Sequence, residues 1–262
     1  MHVAKRMITP NGKLDKRTVS AMIMVEIAIF AAVWVTSPFV FLPKPQDVLS
    51  AMGDLWQQGL ALELITSLTL NFQALLVASL LSLVMAYLGT VPLFRPAIQM
   101  IGKLRFLSMV GLTFFFTLMT NSGHQLKLSL LVFSVSVFFV TGMVDVINSV
   151  PKEKYDLCRV LHMGPWRTLY EAVILGQFDK AFDVLRQNAA IGWMMLSMIE
   201  GMSRSEGGIG AMLMTQNKYF HLSEIMAIQI IILVLGLLQD FVLGWLKSLV
   251  CPYANLVLEN NK

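Results

Sequence analysis

The sequence is poor in charged residues. Asp, Glu, Lys and Arg make up 14% of its 262 residues, and 56% of the chain is hydrophobic. A typical soluble domain carries about 25% charged residues. The charged residues that are present lie in a few short stretches between long apolar runs, which leaves too little polar surface to coat a soluble protein. The composition therefore excludes an ordinary soluble enzyme and favours a membrane protein.

Cysteine, histidine and nucleotide-binding motifs are also scarce. Cys158 and Cys251 are the two cysteines, far apart and both expected on the cytoplasmic side, so no disulfide framework is predicted. The histidines fall outside the apolar runs, which argues against a metal or haem site inside the membrane. No Gly-x-x-x-x-Gly-Lys-Ser/Thr motif occurs, so the chain is expected to bind no ATP itself. The four histidines are His2, His124, His162 and His221.

Long apolar runs dominate the rest of the chain and predict an all-α, polytopic membrane protein. A helix needs about 20 apolar residues to cross the hydrocarbon core. Lys103 and Arg105 make the third of the six candidate runs barely long enough. We expect a cytoplasmic segment at 1–19, a membrane domain of six helices at 20–250 and a cytoplasmic tail at 251–262. The predicted spans are 20–42, 67–91, 104–121, 127–149, 187–203 and 224–250.

The basic residues predict the orientation of these spans. The basic stretch before the first run resembles the start of a signal peptide, but the apolar run is too long for one and is taken as a retained span. With both termini in the cytoplasm, 16 Lys and Arg residues fall inside and 4 fall outside. Such an excess is what the positive-inside rule requires. The net charge of +4 is explained by this orientation and does not indicate nucleic-acid binding.

A long polar loop, 151–186, is predicted between the fourth and fifth spans. Lys152 to Met163 has the pattern of a short amphipathic helix, with Leu157, Val160 and Leu161 along one side. Gly164-Pro165 is expected to end it and to begin a second helix at Trp166. Because neighbouring spans need only short connections, a loop of this length predicts a docking role.

Two stretches of this loop carry a family resemblance. Asp156-Leu157-Cys158-Arg159 and Val173-Ile174-Leu175-Gly176 resemble the cytoplasmic coupling motif of ABC importer permeases, in the nitrate/sulfonate/taurine branch. The match departs from the family pattern at two positions. His162 stands where the family has Gly, and Gly176 stands where it has Pro.

Further matches to the branch extend over roughly residues 20–250. They are the stretch from Leu42 to Val48, Ser67-Leu68, Arg186, Trp193, Glu200, Gly208-Ile209-Gly210 and Asp240. Where the branch has prolines and a Trp-Phe-Gly in spans three and four, this sequence has Ser108, Phe114, Asn121 and Phe138. Leu70 replaces an Arg that the branch has in span two. Spans three and four are therefore expected to lack the kinks that proline introduces into a helix.

The resemblance implies a bacterial plasma-membrane permease that imports a small solute, such as a sulfonate, a nitrate-like anion or a vitamin precursor. It implies a second permease copy, two cytoplasmic ATPase subunits that bind ATP and Mg, and an external solute-binding protein that meets residues 43–66 and 204–223. The chain itself would bind no cofactor or metal. The residues expected to couple to the ATPase are Tyr155, Asp156, Leu157, Cys158, Arg159, Leu161, His162, Met163 and Gly164.

Polar residues near the span ends are candidates for a translocation path or gate. Glu200 and Asp240 are carboxylates close to membrane depth, where an ionisable group contacts either the solute or another helix. The Gly207-Gly208-Ile209-Gly210 stretch follows no strand, so it is interpreted as a tight turn of an outer loop and not as a phosphate site. The path or gate residues are predicted to be Ser108, Asn121, Glu200, Gly208 and Gly210.

Four other functions remain open at this stage. A secondary carrier would need paired charges near the midplane or two similar halves, and an intramembrane enzyme would need an acid, base or nucleophile at depth. A non-transporting scaffold derived from a permease would fit the missing prolines. The 18 methionines would suit copper handling, but Met more often fills apolar gaps.

Overall fold

The computed structural model describes residues 15–36, 39 and 41–252 of the chain. Over these ranges the protein is all-α and has no strand, which confirms the all-α part of the predicted fold class. The expected basic segment 1–14 and most of the tail 251–262 lie outside the described residues. The helices are α1 Lys16–Thr36, α2 Pro45–Gln57, α3 Leu60–Leu88, α4 Arg95–Lys103, α5 Met109–Met119, α6 Gly123–Asn148, α7 Lys152–Val160, α8 Pro165–Thr168, α9 Phe178–Met202, α10 Ile209–Lys218 and α11 Leu222–Val250.

Four of these helices are long and apolar enough to cross a membrane: α1, α3, α6 and α11. They correspond to the first, second, fourth and sixth predicted spans. α3 begins seven residues before the predicted boundary, and α6 begins four residues before it. In both cases polar residues near the helix start, Glu63 in α3 and Lys127 in α6, are accommodated by contacts inside the protein. Six spans and the orientation of the termini stay predictions.

The third predicted span, 104–121, is broken. A 3-10 turn, Leu104–Phe106, extends α4, and the axis then bends by 111° before α5 begins. Ser108, with extended backbone, precedes the first residue of α5. α5 is only 11 residues long and packs along α6. The pair counts as a fifth span only if both parts are taken together.

α9 contains the fifth predicted span but is less apolar than the others. Its first half carries Asp179, Lys180, Asp183 and Arg186, so it is absent from the helices that qualify as spans by composition. It lies at the centre of the bundle and packs against α3 and α6. Their shared core contains Ala74, Ala78, Ala189 and Leu196, all buried. Small residues at helix contacts allow the close approach that holds membrane helices together.

The second half of the predicted loop 151–186 is helical. α8 continues through a π-helical stretch, Leu169–Ile174, and a 3-10 turn, Leu175–Gln177, into α9. α9 begins at Phe178, eight residues before the predicted end of the loop. As a result, only α7 and the turn after it project as a separate unit, and the stretch after Pro165 forms an irregular start of the central helix.

Candidate functional site

The first candidate site is the α7 knuckle, which we define as residues 152–168. α7 ends at Val160 with two backbone hydrogen bonds typical of a Schellman C-cap: the N–H of His162 donates to Arg159 O (2.9 Å), and that of Met163 donates to Cys158 O (3.0 Å). This cap requires a left-handed residue, and His162 has φ +51°. The position where the family has Gly is therefore a position where glycine is favoured.

Gly164 has a different role from the predicted one. It was expected to end the first helix, but its backbone is extended, at φ −67° and ψ 163°, and it precedes α8. Pro165 is the first residue of α8, where proline's fixed φ and missing N–H cost nothing. His162 ends the first helix, and Gly164-Pro165 begins the second.

One side of α7 is fixed to the helix bundle. Cys158 is buried, and Lys154 donates to the carbonyl oxygen of Gly176 (3.1 Å), in the irregular start of α9. Tyr155 lines a cavity shared with Thr90 at the end of α3 and Asn148 at the end of α6. The knuckle thus contacts the irregular start of α9 and shares a cavity with the ends of α3 and α6.

The opposite side of α7 is apolar and exposed. Leu157, Val160 and Leu161 are 60%, 74% and 56% exposed, and Trp166 of α8 is exposed as well. Asp156 and Arg159 form an ion pair at 3.2 Å, with both side chains mostly in solvent. An exposed pair of this kind contributes little to stability. The predicted coupling residues therefore divide into a buried anchor, Cys158, and an exposed outer face.

The second candidate site is a buried polar cluster at the other end of α9. Glu200 is fully buried, and its two carboxylate oxygens accept hydrogen bonds from the Ser67 hydroxyl of α3 at 2.7 and 2.9 Å. The N–H of Gly210 also donates to Glu200 (2.9 Å), and the N–H of Ile209 donates to Ser67 Oγ (2.8 Å). A buried carboxylate is tolerated only when its oxygens are bonded in this way.

Two further charged side chains complete the cluster. The N–H of Gly208 donates to the carboxylate of Glu63. Lys127, only 2% exposed, donates to the carbonyl oxygen of Gly207 (2.7 Å). The carboxylates of Glu63 and Glu200 thus accept the first free N–H groups of α10, where negative charge is favoured by the helix dipole.

The glycines of this loop are needed for its close approach to the helices. Gly207 and Gly208 have φ of +68° and +106°, which side-chain-bearing residues rarely adopt. A Cβ on Gly208 would overlap the Glu200 carboxylate, and one on Gly210 would overlap the Ser197 backbone. The interpretation as a tight turn of a loop that dips back into the bundle agrees with this geometry.

The five predicted path or gate residues do not form one site. Glu200, Gly208 and Gly210 meet in the buried cluster, where Glu200 has both oxygens bonded to protein. Ser108 is exposed at the break before α5, and Asn121 is exposed in the turn between α5 and α6. The cluster favours the reading of Glu200 as a helix-pairing residue over direct contact with a solute.

Between the two sites, neutral polar groups join three helices. The Gln239 side-chain oxygen of α11 accepts from Asn71 of α3 (2.9 Å) and from the Trp193 indole of α9 (2.6 Å). A Cβ on Gly192 would lie 3.2 Å from the Asn71 side-chain oxygen, so glycine at this position allows Asn71 to approach α9 closely. Polar groups that hydrogen-bond across helices stabilise such contacts in apolar surroundings.

Two ion pairs join α9 to α11 near the start of α9. Arg186 donates to both oxygens of Asp240, at 2.9 and 2.6 Å, and Lys247 donates to Asp183 at 2.6 Å. The bidentate Arg–carboxylate geometry fixes the relative position of the helices as well as neutralising charge. Asp240 is thus engaged in the helix pairing that was considered for it from the sequence.

Sequence reasoning missed Glu63, Lys127, Asn71 and Gln239. Lys127 was expected at the very edge of the fourth predicted span, 127–149, but α6 begins at Gly123 and carries it into the protein. A single Lys at the start of a strongly apolar run was the available signal, since such a group needs a partner. For Asn71 and Gln239 a polar side chain inside a span gave a similar signal. Among the described residues no group of three or more His, Cys, Asp or Glu side chains could hold a metal.

Comparison with known proteins identifies the fold but no sequence family. No protein-family model and no curated protein sequence matches the chain. Several chains of solved structures do match. One belongs to the crystal structure of an amino acid ABC transporter with histidines, with a TM-score of 0.60 and 15% identity. The match covers 74% of this chain and 94% of that one. This protein therefore has the fold of a chain of an ABC transporter.

Proposed function

We propose that this chain is the permease subunit of an ATP-binding-cassette importer in the bacterial plasma membrane. The observation that carries the proposal is the α7 knuckle. Its apolar outer face, formed by Leu157, Val160 and Leu161, has no partner among the described residues. An apolar face on a polar, projecting helix is typical of a docking surface for another protein.

The anchoring of the knuckle supports a coupling role. Lys154 donates a hydrogen bond to the irregular start of α9, and Tyr155 lines a cavity together with residues at the ends of α3 and α6. A partner that moves the knuckle would thus shift the central helices together, which is what coupling requires. The sequence has no nucleotide-binding motif of its own, so the proposal assigns ATP and Mg to two separate ATPase subunits.

A groove between α9 and α11 is our candidate for the translocation path. It has a volume of 590 Å³ and is lined by Met194, Ser197, Gln229, Gly236 and Asp240, among others. It is open along one side in a single chain. We propose that a second copy closes it, giving a homodimer whose two grooves face each other.

The far end of the bundle is our candidate for the surface that meets an external solute-binding protein. The two segments expected there, 43–66 and 204–223, lie side by side, since Gln216 donates to Gln58 across them (3.3 Å). α2 packs its buried residues Val48, Ala51 and Leu55 with Ile209 and Ile228 of α10 and α11. The nitrate/sulfonate/taurine branch and the solute remain predictions, with a small organic or inorganic solute as the class.

The positions of the charged residues along α9 favour this proposal over a self-contained secondary carrier. Arg186 and Glu200 lie about 21 Å apart along α9, at 1.5 Å per residue. Midway between them are Trp193, Asn71 and Gln239, which are neutral. A carrier driven by ions or protons is expected to place its ionisable residues near the midplane.

Co-purification with an ATPase subunit encoded beside the gene tests the proposal. The test variant carries Leu157→Glu, Val160→Glu and Leu161→Glu, three changes at exposed positions that leave the buried anchor Cys158 intact. We expect the wild type to retain the ATPase in detergent and the variant to lose it, because three carboxylates replace the apolar contact face.

A matched control is Phe220→Asp at the opposite end of the bundle. Phe220 is 81% exposed with φ +58°, a conformation that Asp tolerates. This variant should retain the ATPase as well as the wild type does. If no ATPase associates with the wild type, the non-transporting scaffold becomes the better account.

A further inference from the structure

The broken third span leaves α4 with features that the permease function does not use. α5 lies along the bundle, and the 111° bend turns α4 and its 3-10 extension nearly perpendicular to it. Ile98 is buried and contacts Gly89 at the end of α3, while Gly102 lies against the Thr141 hydroxyl of α6. α4 therefore lies across the ends of two spans, attached by one side only.

The free sides of α4 combine apolar and basic groups. Leu93, Met100 and Phe106 are 78%, 68% and 79% exposed. Residues 89–108 contain Arg95, Lys103 and Arg105 and no Asp or Glu. Among the described residues none of these three cations has a carboxylate within ion-pair distance; Arg105 instead lies over the Phe106 ring. An amphipathic, basic helix of this kind is suited to the membrane interface.

Two cavities at the surface of the bundle flank α4, and these three cations line them. The first, of 290 Å³, is lined by Arg95, Gln99, Thr90, Asn148 and Tyr155. The second, of 310 Å³, is lined by Lys103, Arg105 and Thr141, with Asp145 as its one acidic residue. Both volumes are close to the lower limit of the range for small-ligand sites, roughly 300–1,000 Å³.

We propose that α4 lies in the headgroup layer of the membrane and binds anionic phospholipids, with lipid phosphates in the two cavities. Cations that have no carboxylate partner among the described residues, placed beside hydrogen-bond donors, suit the negative charge of a lipid phosphate. The exposed side chains of Leu93 and Phe106 suit the acyl chains next to it. A soluble acidic protein would not account for the apolar side chains between the cations. The proposal is independent of any transport function.

Native mass spectrometry of the delipidated full chain in detergent tests this binding. The probes are dioleoyl phosphatidylglycerol and dioleoyl phosphatidylcholine, which share their acyl chains and differ in charge. We expect the wild type to bind phosphatidylglycerol at least about fivefold more tightly, since one Lys or Arg near a membrane surface contributes about that factor. Excess inorganic phosphate should not displace the lipid, because free phosphate lacks the acyl contacts.

The variant with Arg95→Gln, Lys103→Gln and Arg105→Gln should lose this preference. The control carries Lys152→Gln, Arg159→Gln and Arg167→Gln, which remove the same charge from exposed positions of the knuckle and should keep it. Equal binding of the two lipids by the wild type, or equal loss in both variants, would overturn the proposal. Displacement of the lipid by free phosphate would overturn it also.

Spin-label depth provides a second, independent readout in phosphatidylglycerol bilayers. Labels at Leu93→Cys, Met100→Cys and Phe106→Cys should report similar depths near the headgroups if α4 lies in the membrane plane. A steady change of depth from the first label to the third would show that α4 crosses the bilayer, and the proposal would then fail.

Discussion

At the scale of single residues, Gly208 is the position where the buried cluster tolerates least change. Its φ of +106° and its contact with Glu200 leave no space for a side chain. We expect Gly208→Ala to destabilise the protein by about 1–3 kcal/mol, the usual range for a strained backbone. Thermal unfolding in detergent measures this.

Gly53 in α2 provides the control for that substitution. A Cβ there would have nothing within 4 Å, and the residue lies inside a helix. Gly53→Ala should be neutral or stabilise by up to about 1 kcal/mol through helix propensity. If both substitutions have the same effect, the loop does not depend on glycine in the way described.

A substitution at His162 is expected to have the opposite effect, a gain in stability. It occupies the left-handed position of the α7 C-cap, at φ +51°, although it is not glycine. His162→Gly should therefore stabilise the knuckle by up to about 1 kcal/mol, because glycine adopts this conformation without steric cost. Hydrogen exchange of α7 amides measures the local change. Gly164→Ala, at an ordinary φ with open space around it, should leave exchange unaltered.

These residues show what sequence reasoning could and could not supply. The mismatch at His162 was visible as a departure from a motif, but its meaning depends on a backbone angle that no sequence states. The partners of Glu200 were also hidden, because Ser67 is distant in sequence and, with the N–H of Gly210, meets Glu200 only when α3, α9 and α10 pack together. Burial of a lone Lys could have been inferred from its apolar neighbours.

At the scale of helices, Arg186 and Asp240 form one of the two ion pairs that join α9 to α11. Both side chains are more than a third exposed, so solvent and headgroups weaken their attraction. A double-mutant cycle with Arg186→Ala and Asp240→Ala should give a coupling energy of about 1 kcal/mol, within the range found for polar contacts between membrane helices. Unfolding in mixed detergent provides the measurement.

Reversal of the pair distinguishes attraction from general damage. The double variant Arg186→Asp with Asp240→Arg should recover part of the stability that either single change removes. Additive losses in the cycle, with no recovery on reversal, would mean that this ion pair does not help to hold the two helices together.

Helix-level prediction succeeded where one physical property dominates. Hydropathy alone located α1, α3, α6 and α11, because each is a long apolar run. It did not reveal the break between α4 and α5, where no proline occurs and Ser108 has extended backbone. Hydropathy also placed the start of α9 too late in the chain. The charged first half of this helix forms ion pairs with α11 and is not part of a loop.

At the scale of the whole molecule, the two candidate sites lie at opposite ends of the central helix α9. The knuckle contacts its irregular start through Lys154 and Gly176, and the buried cluster fixes its far end through Glu200. We propose that displacement of the knuckle tilts α9 about its fixed end, which requires the Arg186–Asp240 and Asp183–Lys247 ion pairs to separate, and that this changes the groove beside α11. Alternating access in the proposed importer would arise from this motion.

Accessibility of the groove tests this account most directly. Met194 is 63% exposed and lines the groove, so Met194→Cys can be labelled with a membrane-impermeant maleimide. The chain is co-expressed with its ATPase in inside-out vesicles, and wild-type labelling is subtracted. Leu80→Cys on α3, exposed on an apolar span and outside the groove, is the control for reagent that reaches thiols through the lipid, and it should show little labelling.

The account predicts that ATP with vanadate sharply lowers labelling at Met194→Cys from the cytoplasmic side and leaves Leu80→Cys unaltered. Equal labelling of Met194→Cys with and without trapped nucleotide, in a complex that contains the ATPase, would contradict it.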